Sequence, residues 1–212
     1  MLHFVYCRLW NCALFLGLVA VLPAGCATLT PKQEQGAQEI SAIVDATARA
    51  YSVSTIYVLI GNDTSNIGGT YRRGMITIST GMLLSRHRDS LVAHELAHYL
   101  LGHDAPLGAS TSLDQRREQE RRELDANAKA VEILTRVTGR TQAQSLRLVH
   151  DHLATFHRML AANRSVLPWG HRMPCDEIHD LLSRFPSERA WTSSLECANG
   201  TVAAAGTNPA RP

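Results

Sequence analysis

Leu91–His103 reads LVAHELAHYLLGH, and the rest of the chain is organised around it. His94 and His98 stand four residues apart, so on a helix both imidazoles leave one face about a turn apart. Two neutral imidazoles in that geometry can hold one Zn²⁺, and Glu95, offset between them, can reach a water at the metal. His-Glu-x-x-His fixes only three positions, and a chain with ten histidines can meet it by accident. The context supplies what the motif needs. Leu91, Val92, Leu96, Ala97, Leu100 and Leu101 make the segment apolar enough to be a buried helix.

Catalytic zinc generally takes three protein ligands and keeps a fourth position for water. The next helical pattern runs from Leu113 to Thr138, with Gly139 as its stop. On it Glu123, Asn127, Ala130, Leu134 and Val137 recur at spacings of four and three, so they share a face. The later members are apolar and core-facing, which turns Glu123 and Asn127 inward as well. A carboxylate aimed at a core is costly unless paired or metal-bound. The third ligand is assigned to Glu123, with Glu120, one turn earlier, as the alternative. Glu118, Asp125 and Glu132 lie elsewhere, and with Arg116, Arg117, Arg121 and Arg122 they read as a solvated, salt-bridged face.

Working outward, Gln38–Tyr51 has the spacing of an amphipathic helix, and Val53–Ile60 is β-branched and aromatic, hence a strand. Asn66–Gly74 is glycine-rich and reads as a loop. Met75–Thr80 alternates as a second strand, with Ile76 and Ile78 on one face, and Met82-Leu83-Leu84 begins a short helical turn. Asp89 or Ser90 is the expected cap of the His94 helix, Gly102 its stop, and Ala105–Thr111 a loop. Thr141–Asn163 is a further long helix carrying Leu146, Val149, Leu153, Phe156 and Leu160, and shorter helices are expected over Asp176–Arg184 and Ser187–Leu195. The fold class is α+β and mostly helical, with a small sheet just ahead of the metal motif.

The 212 residues suit one domain with appendages, and a net charge of +2 without a basic aromatic face argues against nucleic acid as a partner. The segment 1–25 reads as a signal peptide: Arg8 precedes the apolar run Ala13–Leu22, too short for a membrane span. Leu22-Pro23-Ala24-Gly25-Cys26-Ala27 resembles a bacterial lipoprotein processing box, with the leucine one place further out than usual. That resemblance implies lipid on Cys26, a tether over 26–36, and an exported protein facing the periplasm. The outer membrane is favoured because Ala27 is not the Asp that often retains such proteins inside. Ordinary cleavage, leaving a soluble periplasmic protein, is the alternative. Cys7 and Cys12 leave with the signal, so Cys175 and Cys197 are the candidates for one disulfide. The domain spans 37–197, and the small, polar stretch 198–212 reads as a disordered tail.

A strand, a Gly-Met-Leu-Leu turn, an Ala-His-Glu-Leu-Ala-His helix with a later His103, and Arg-Glu-x-x-Ala-x-Ala on a second helix follow one another between Asn66 and Leu134. This order resembles the gluzincin zinc metallopeptidases of the HtpX and CAAX-prenyl-protease family, in particular the members exported as bacterial lipoproteins. The resemblance implies a zincin-like domain, one Zn²⁺ on His94, His98 and Glu123, and Glu95 as the catalytic base. It implies a transition-state donor at His171, although Pro174 stands three residues after this histidine where the family has a direct His-Pro. Asn127 stands where the family usually has an Asp that accepts the outer N–H of a ligand histidine. On sequence grounds Asn127→Asp is expected to keep or improve activity.

The function that follows is a zinc metalloendopeptidase of the cell envelope acting on unfolded or misfolded proteins. Met75–Thr80 is the expected edge for binding a peptide in extended form. The alternative is a metal-binding chaperone or interaction lipoprotein with little proteolysis. His103 is expected to serve the helix end, and His150, His152, His157 and Trp169 to be ordinary structural residues.

Overall fold

The computed structural model describes residues 29–54, 56–61, 69–72, 75–103, 112–163, 170–192, 195 and 197. Cys26, Trp169, the signal segment, the loop over 105–111 and the tail lie outside them. Among the described residues, six α-helices and three strands make a mostly helical α+β fold: α1 Pro31–Ala50, β1 Tyr57–Gly61, β2 Gly69–Arg72, β3 Met75–Ser79, α2 Arg88–Leu100, α3 Leu113–Thr138, α4 Gln142–Asn163, α5 Pro174–Ser183 and α6 Arg189–Thr192.

Local chemistry sets the boundaries. Helix α1 starts seven residues before the expected Gln38, because Thr30 and Gln33 form a reciprocal capping box ahead of Pro31. The segment 31–36 is therefore helical, and Gly36 and Ala37 are buried. Helix α3 has the expected bounds, with the Ser112 hydroxyl accepting from the Gln115 N–H at its start. Helix α2 begins at Arg88 with no side-chain cap, so neither Asp89 nor Ser90 plays that part. Where the last helix is expected, the described residues form a 3₁₀ turn at Pro186–Glu188 followed by α6.

The sheet corrects two expectations. Its order is β1-β3-β2, with β1 parallel to β3 and β2 antiparallel to it. Strand β2 lies inside the stretch read as a loop. Gly69 is part of the reason for its composition: a Cβ there would come within 3.1–3.3 Å of Leu91, Ile78 and Glu95. Strand β3 is accordingly the central strand, paired on both sides, and not the edge expected to take a peptide. Among the described residues β2 is the outer strand next to α2, and its Tyr71 backbone is engaged by Glu95.

One face of β3 buries Ile76 and Ile78, which join Val92 and Leu96 of α2 in the core. Helix α3 adds Ala126, Ala130, Ile133 and Leu134, α4 adds Leu146, Val149 and Leu153, and α5 adds Ile178 and Leu181. Helix α2 is thus held between the sheet and α3, which fixes both faces that matter for its histidines. A disulfide joins Cys175 in the first turn of α5 to Cys197, with Cα atoms 5.0 Å apart. No described helix is long and apolar enough to cross a membrane.

Candidate metal centre

The expected helix-on-helix arrangement brings three donors to one point. His94 Nε2 lies 3.1 Å from Glu123 Oε2, His98 Nε2 lies 3.3 Å from the same oxygen, and the two Nε2 atoms are 3.1 Å apart. Metal–nitrogen and metal–oxygen bonds of about 2.0–2.1 Å at tetrahedral angles separate adjacent donors by about 3.3 Å. The spacing of the triad therefore fits a small tetrahedral cation, and His94, His98 and Glu123 form a group that could hold a metal ion. Two imidazoles and one carboxylate are a donor set for a divalent transition metal.

The electrostatics agree with three donors competing for one positive charge. Burial raises the Glu123 carboxyl pKa, but hydrogen bonds from His94 and His98 override it and hold the group far below the usual carboxylate range. Burial likewise lowers the pKa of His94, and the Glu123 hydrogen bond and charge reverse that, carrying it up to about 9. His98 goes the other way: burial and the charge on His94 hold it below its ordinary value despite Glu123.

Each donor is fixed from behind. The Gln119 amide donates to Glu123 Oε1, which leaves Oε2 for the two histidines. Gly170, at φ +85°, covers the Gln119 stem so closely that a Cβ would collide with it. The outer nitrogen of His94, Nδ1, meets Asn127 Oδ1 at 2.9 Å. That of His98 meets His103 Nδ1 at 2.9 Å. Burial, with the charges of His98 and Arg122, depresses the His103 pKa to about 4, so its ring is neutral and able to accept. The His103 ring therefore supports a triad histidine, while its backbone N–H bonds the His98 carbonyl at 3.0 Å at the helix end.

Glu95 is buried, and its pKa is raised to about 7, first by burial, with the neighbouring His94 and a backbone hydrogen bond from Tyr71 working against the rise. His171 approaches from the turn before α5, its Nε2 3.9 Å from Glu123 Oε2 and its Nδ1 3.2 Å from Glu177 Oε1. Burial lowers its pKa, and the bond to Glu177 and the charge of Glu123 more than reverse this. Glu120 is not brought to the triad; it pairs with Arg116 at 3.1 Å and Arg172 at 3.4 Å. The Arg/Glu run is the expected salt-bridged face, with Arg121 joining Glu118 and Asp125 and Arg122 joining Glu118.

One residue with a part in the site carried a signal that the sequence reading did not use. Glu177 falls on the apolar stripe of α5 with Ile178 and Leu181, an inward acid by the criterion that singled out Glu123. Its Oε2 accepts from Asn127 Nδ2 at 3.3 Å. The expectation that Asn127→Asp is harmless thus meets a carboxylate that the sequence pattern does not reveal. Outside the site, His152 stacks on His87 with ring centroids 5.7 Å apart, while burial and the charges of His94 and His87 depress its pKa to about 3. His157 lies 3.7 Å from the Cys175 sulfur, beside the disulfide, and His150 contacts Asp151.

Comparison with known protein families, with curated proteins and with solved structures finds no match to this chain. The site therefore rests on its own geometry.

Proposed function

We propose that this chain is a zinc-dependent metalloendopeptidase of the bacterial cell envelope that hydrolyses peptide bonds in unfolded or misfolded proteins. The observation that carries the reading is the convergence of His94, His98 and Glu123 within 3.3 Å of one another, with Glu95 in the same helix turn. A bare pair of histidines would support binding alone; a buried acid poised near neutrality beside them supports hydrolysis.

The chemistry that an ion on this triad supplies when bound is Lewis acidity, toward a water and toward a carbonyl oxygen. Glu95, with its pKa near 7, takes the proton of the attacking water and returns it to the leaving amine. The water oxygen bonds to the carbonyl carbon as the C=O π pair moves onto the carbonyl oxygen; when that pair returns, the C–N bond breaks and the amine leaves with the proton from Glu95. His171, favoured as an imidazolium by Glu177 and Glu123, donates from Nε2 to the carbonyl oxygen as negative charge grows there. The Tyr71 backbone holds Glu95, so β2 runs beside the reacting groups. A peptide laid along the β2 edge in extended form would pass Glu95, which suits unfolded chains better than compact ones. Lipid on Cys26 would tether the domain to the envelope, on the outer membrane facing the periplasm.

The test is to load the mature chain with one equivalent of zinc and measure cleavage of an unfolded protein such as casein, with and without chelator. Cleavage that disappears with chelator and returns with zinc supports the reading. Stoichiometric zinc with no cleavage of any unfolded substrate overturns it in favour of a metal-binding chaperone or interaction lipoprotein.

A further inference from the structure

Glu177 is 2% exposed, and each of its oxygens is used. Oε2 accepts from Asn127 Nδ2 at 3.3 Å; Oε1 takes the Arg172 backbone N–H at 3.2 Å and faces His171 Nδ1 at 3.2 Å. Asn127 in turn presents Oδ1 to His94 Nδ1 at 2.9 Å. A carboxylate only accepts, so Glu177 dictates which way the Asn127 amide points. With Nδ2 committed to Glu177, Oδ1 must face His94, and it can only accept. The hydrogen shared with Asn127 then sits on His94 Nδ1, which leaves Nε2, facing Glu123 and His98, as the atom that would bind a metal in place of its own hydrogen.

We infer that Glu177 is the positioning residue of the metal centre: through the Asn127 amide it sets the tautomer of His94, and through His171 Nδ1 it orients the second polar group of the site. The negative charge that usually stands directly behind a ligand histidine is here displaced one link along the hydrogen-bond chain. The inference rests on reading His94, His98 and Glu123 as zinc ligands.

Relocating the charge is the diagnostic consequence. In Glu177→Gln the new amide sets its N–H₂ against that of Asn127, or forces Asn127 to turn and offer N–H to His94, which puts the imidazole hydrogen on Nε2 where the metal belongs. In Asn127→Asp two carboxylates face each other. In the double variant Asn127→Asp/Glu177→Gln, the carboxylate introduced on α3 accepts both from His94 and from the amide introduced on α5. The chain is then whole again, with the charge one link closer to the histidine. A residue that merely packed α5 would show no such reciprocity.

The experiment measures zinc affinity of the full chain by competition with a chromophoric chelator, and the visible spectrum of the cobalt-substituted protein, with folding checked by circular dichroism. Each single variant is expected to lose about 10–100-fold in affinity, and the double variant to return to near the wild-type affinity and cobalt spectrum. Singles that bind as wild type does, or a double no tighter than the weaker single, overturn the inference while leaving the site itself intact. Wild-type chain that takes up no zinc overturns the underlying reading as well. Should Glu177→Gln fail to fold, a double variant that binds zinc more tightly than Asn127→Asp alone still supports the relay, and one that does not sinks it.

Discussion

His98 turns Nδ1 onto His103 Nδ1 at 2.9 Å while its Nε2 faces Glu123 Oε2 at 3.3 Å. The chain reverses at Gly102 just past α2, so a histidine five residues on returns to its own helix. One imidazole thus supports another, with a neutral ring standing where a carboxylate or carbonyl is the more common partner.

Replacing His103 with Ala is expected to weaken zinc binding by about 10–100-fold without unfolding the domain. His103→Asn, which keeps an acceptor, should recover part of the loss. Equal affinities in wild type and His103→Ala, measured by chelator competition, would remove His103 from the site.

Glu123 and Glu120 separate cleanly. Glu123→Gln is expected to abolish stoichiometric zinc, because it removes the carboxylate whose Oε2 faces both histidines. Glu120→Gln should keep it, since its contacts are Arg116 and Arg172 on the outer side of α3. Metal content after dialysis distinguishes the two, and the reverse pattern would move the third ligand to Glu120.

The acid sensitivity of the fold is expected to include His152. Half-buried by exposed area but crowded by His87 and the His94 charge, it is held neutral in the folded state, with a pKa of about 3 against 6.5 when free. A depressed folded pKa means that the unfolded chain takes up the proton first. Stability is therefore intact above pH 6.5 and is lost as pH falls from 6.5 toward 3, at up to about 1.4 kcal/mol per pH unit. Urea unfolding of the zinc-free protein at about pH 7.5 and about pH 5 should show a smaller drop in His152→Gln than in wild type. The same drop in both would mean that His152 titrates normally in the fold.

Much of the site is legible from periodicity because burial enforces it. The 3.6-residue repeat places His94 and His98 on one face, and the apolar run Ala130, Leu134 and Val137 points Glu123 inward. The same logic would have found Glu177, whose neighbours Ile178 and Leu181 are core residues. Strand β2 was not legible: four residues carry little pattern, and Gly69 signals a loop although it is there for the close approach of Leu91 and Glu95. The early start of α1 was hidden because Pro31 and Gln33 read as tether until paired with Thr30 as a cap. The role of His103 depends on the path of the chain beyond α2, which no local spacing encodes.

The central claim is that Glu95 acts on a water at a metal held by its neighbours, and Glu95→Gln tests it most directly. The substitution keeps the size of a side chain that is 5% exposed, and it leaves all three ligands in place. Zinc content and casein hydrolysis are measured on both forms. The account predicts one zinc per chain in each and a loss of at least about 100-fold in hydrolysis for Glu95→Gln, the scale of a missing general base. Hydrolysis that survives in zinc-loaded Glu95→Gln would contradict it.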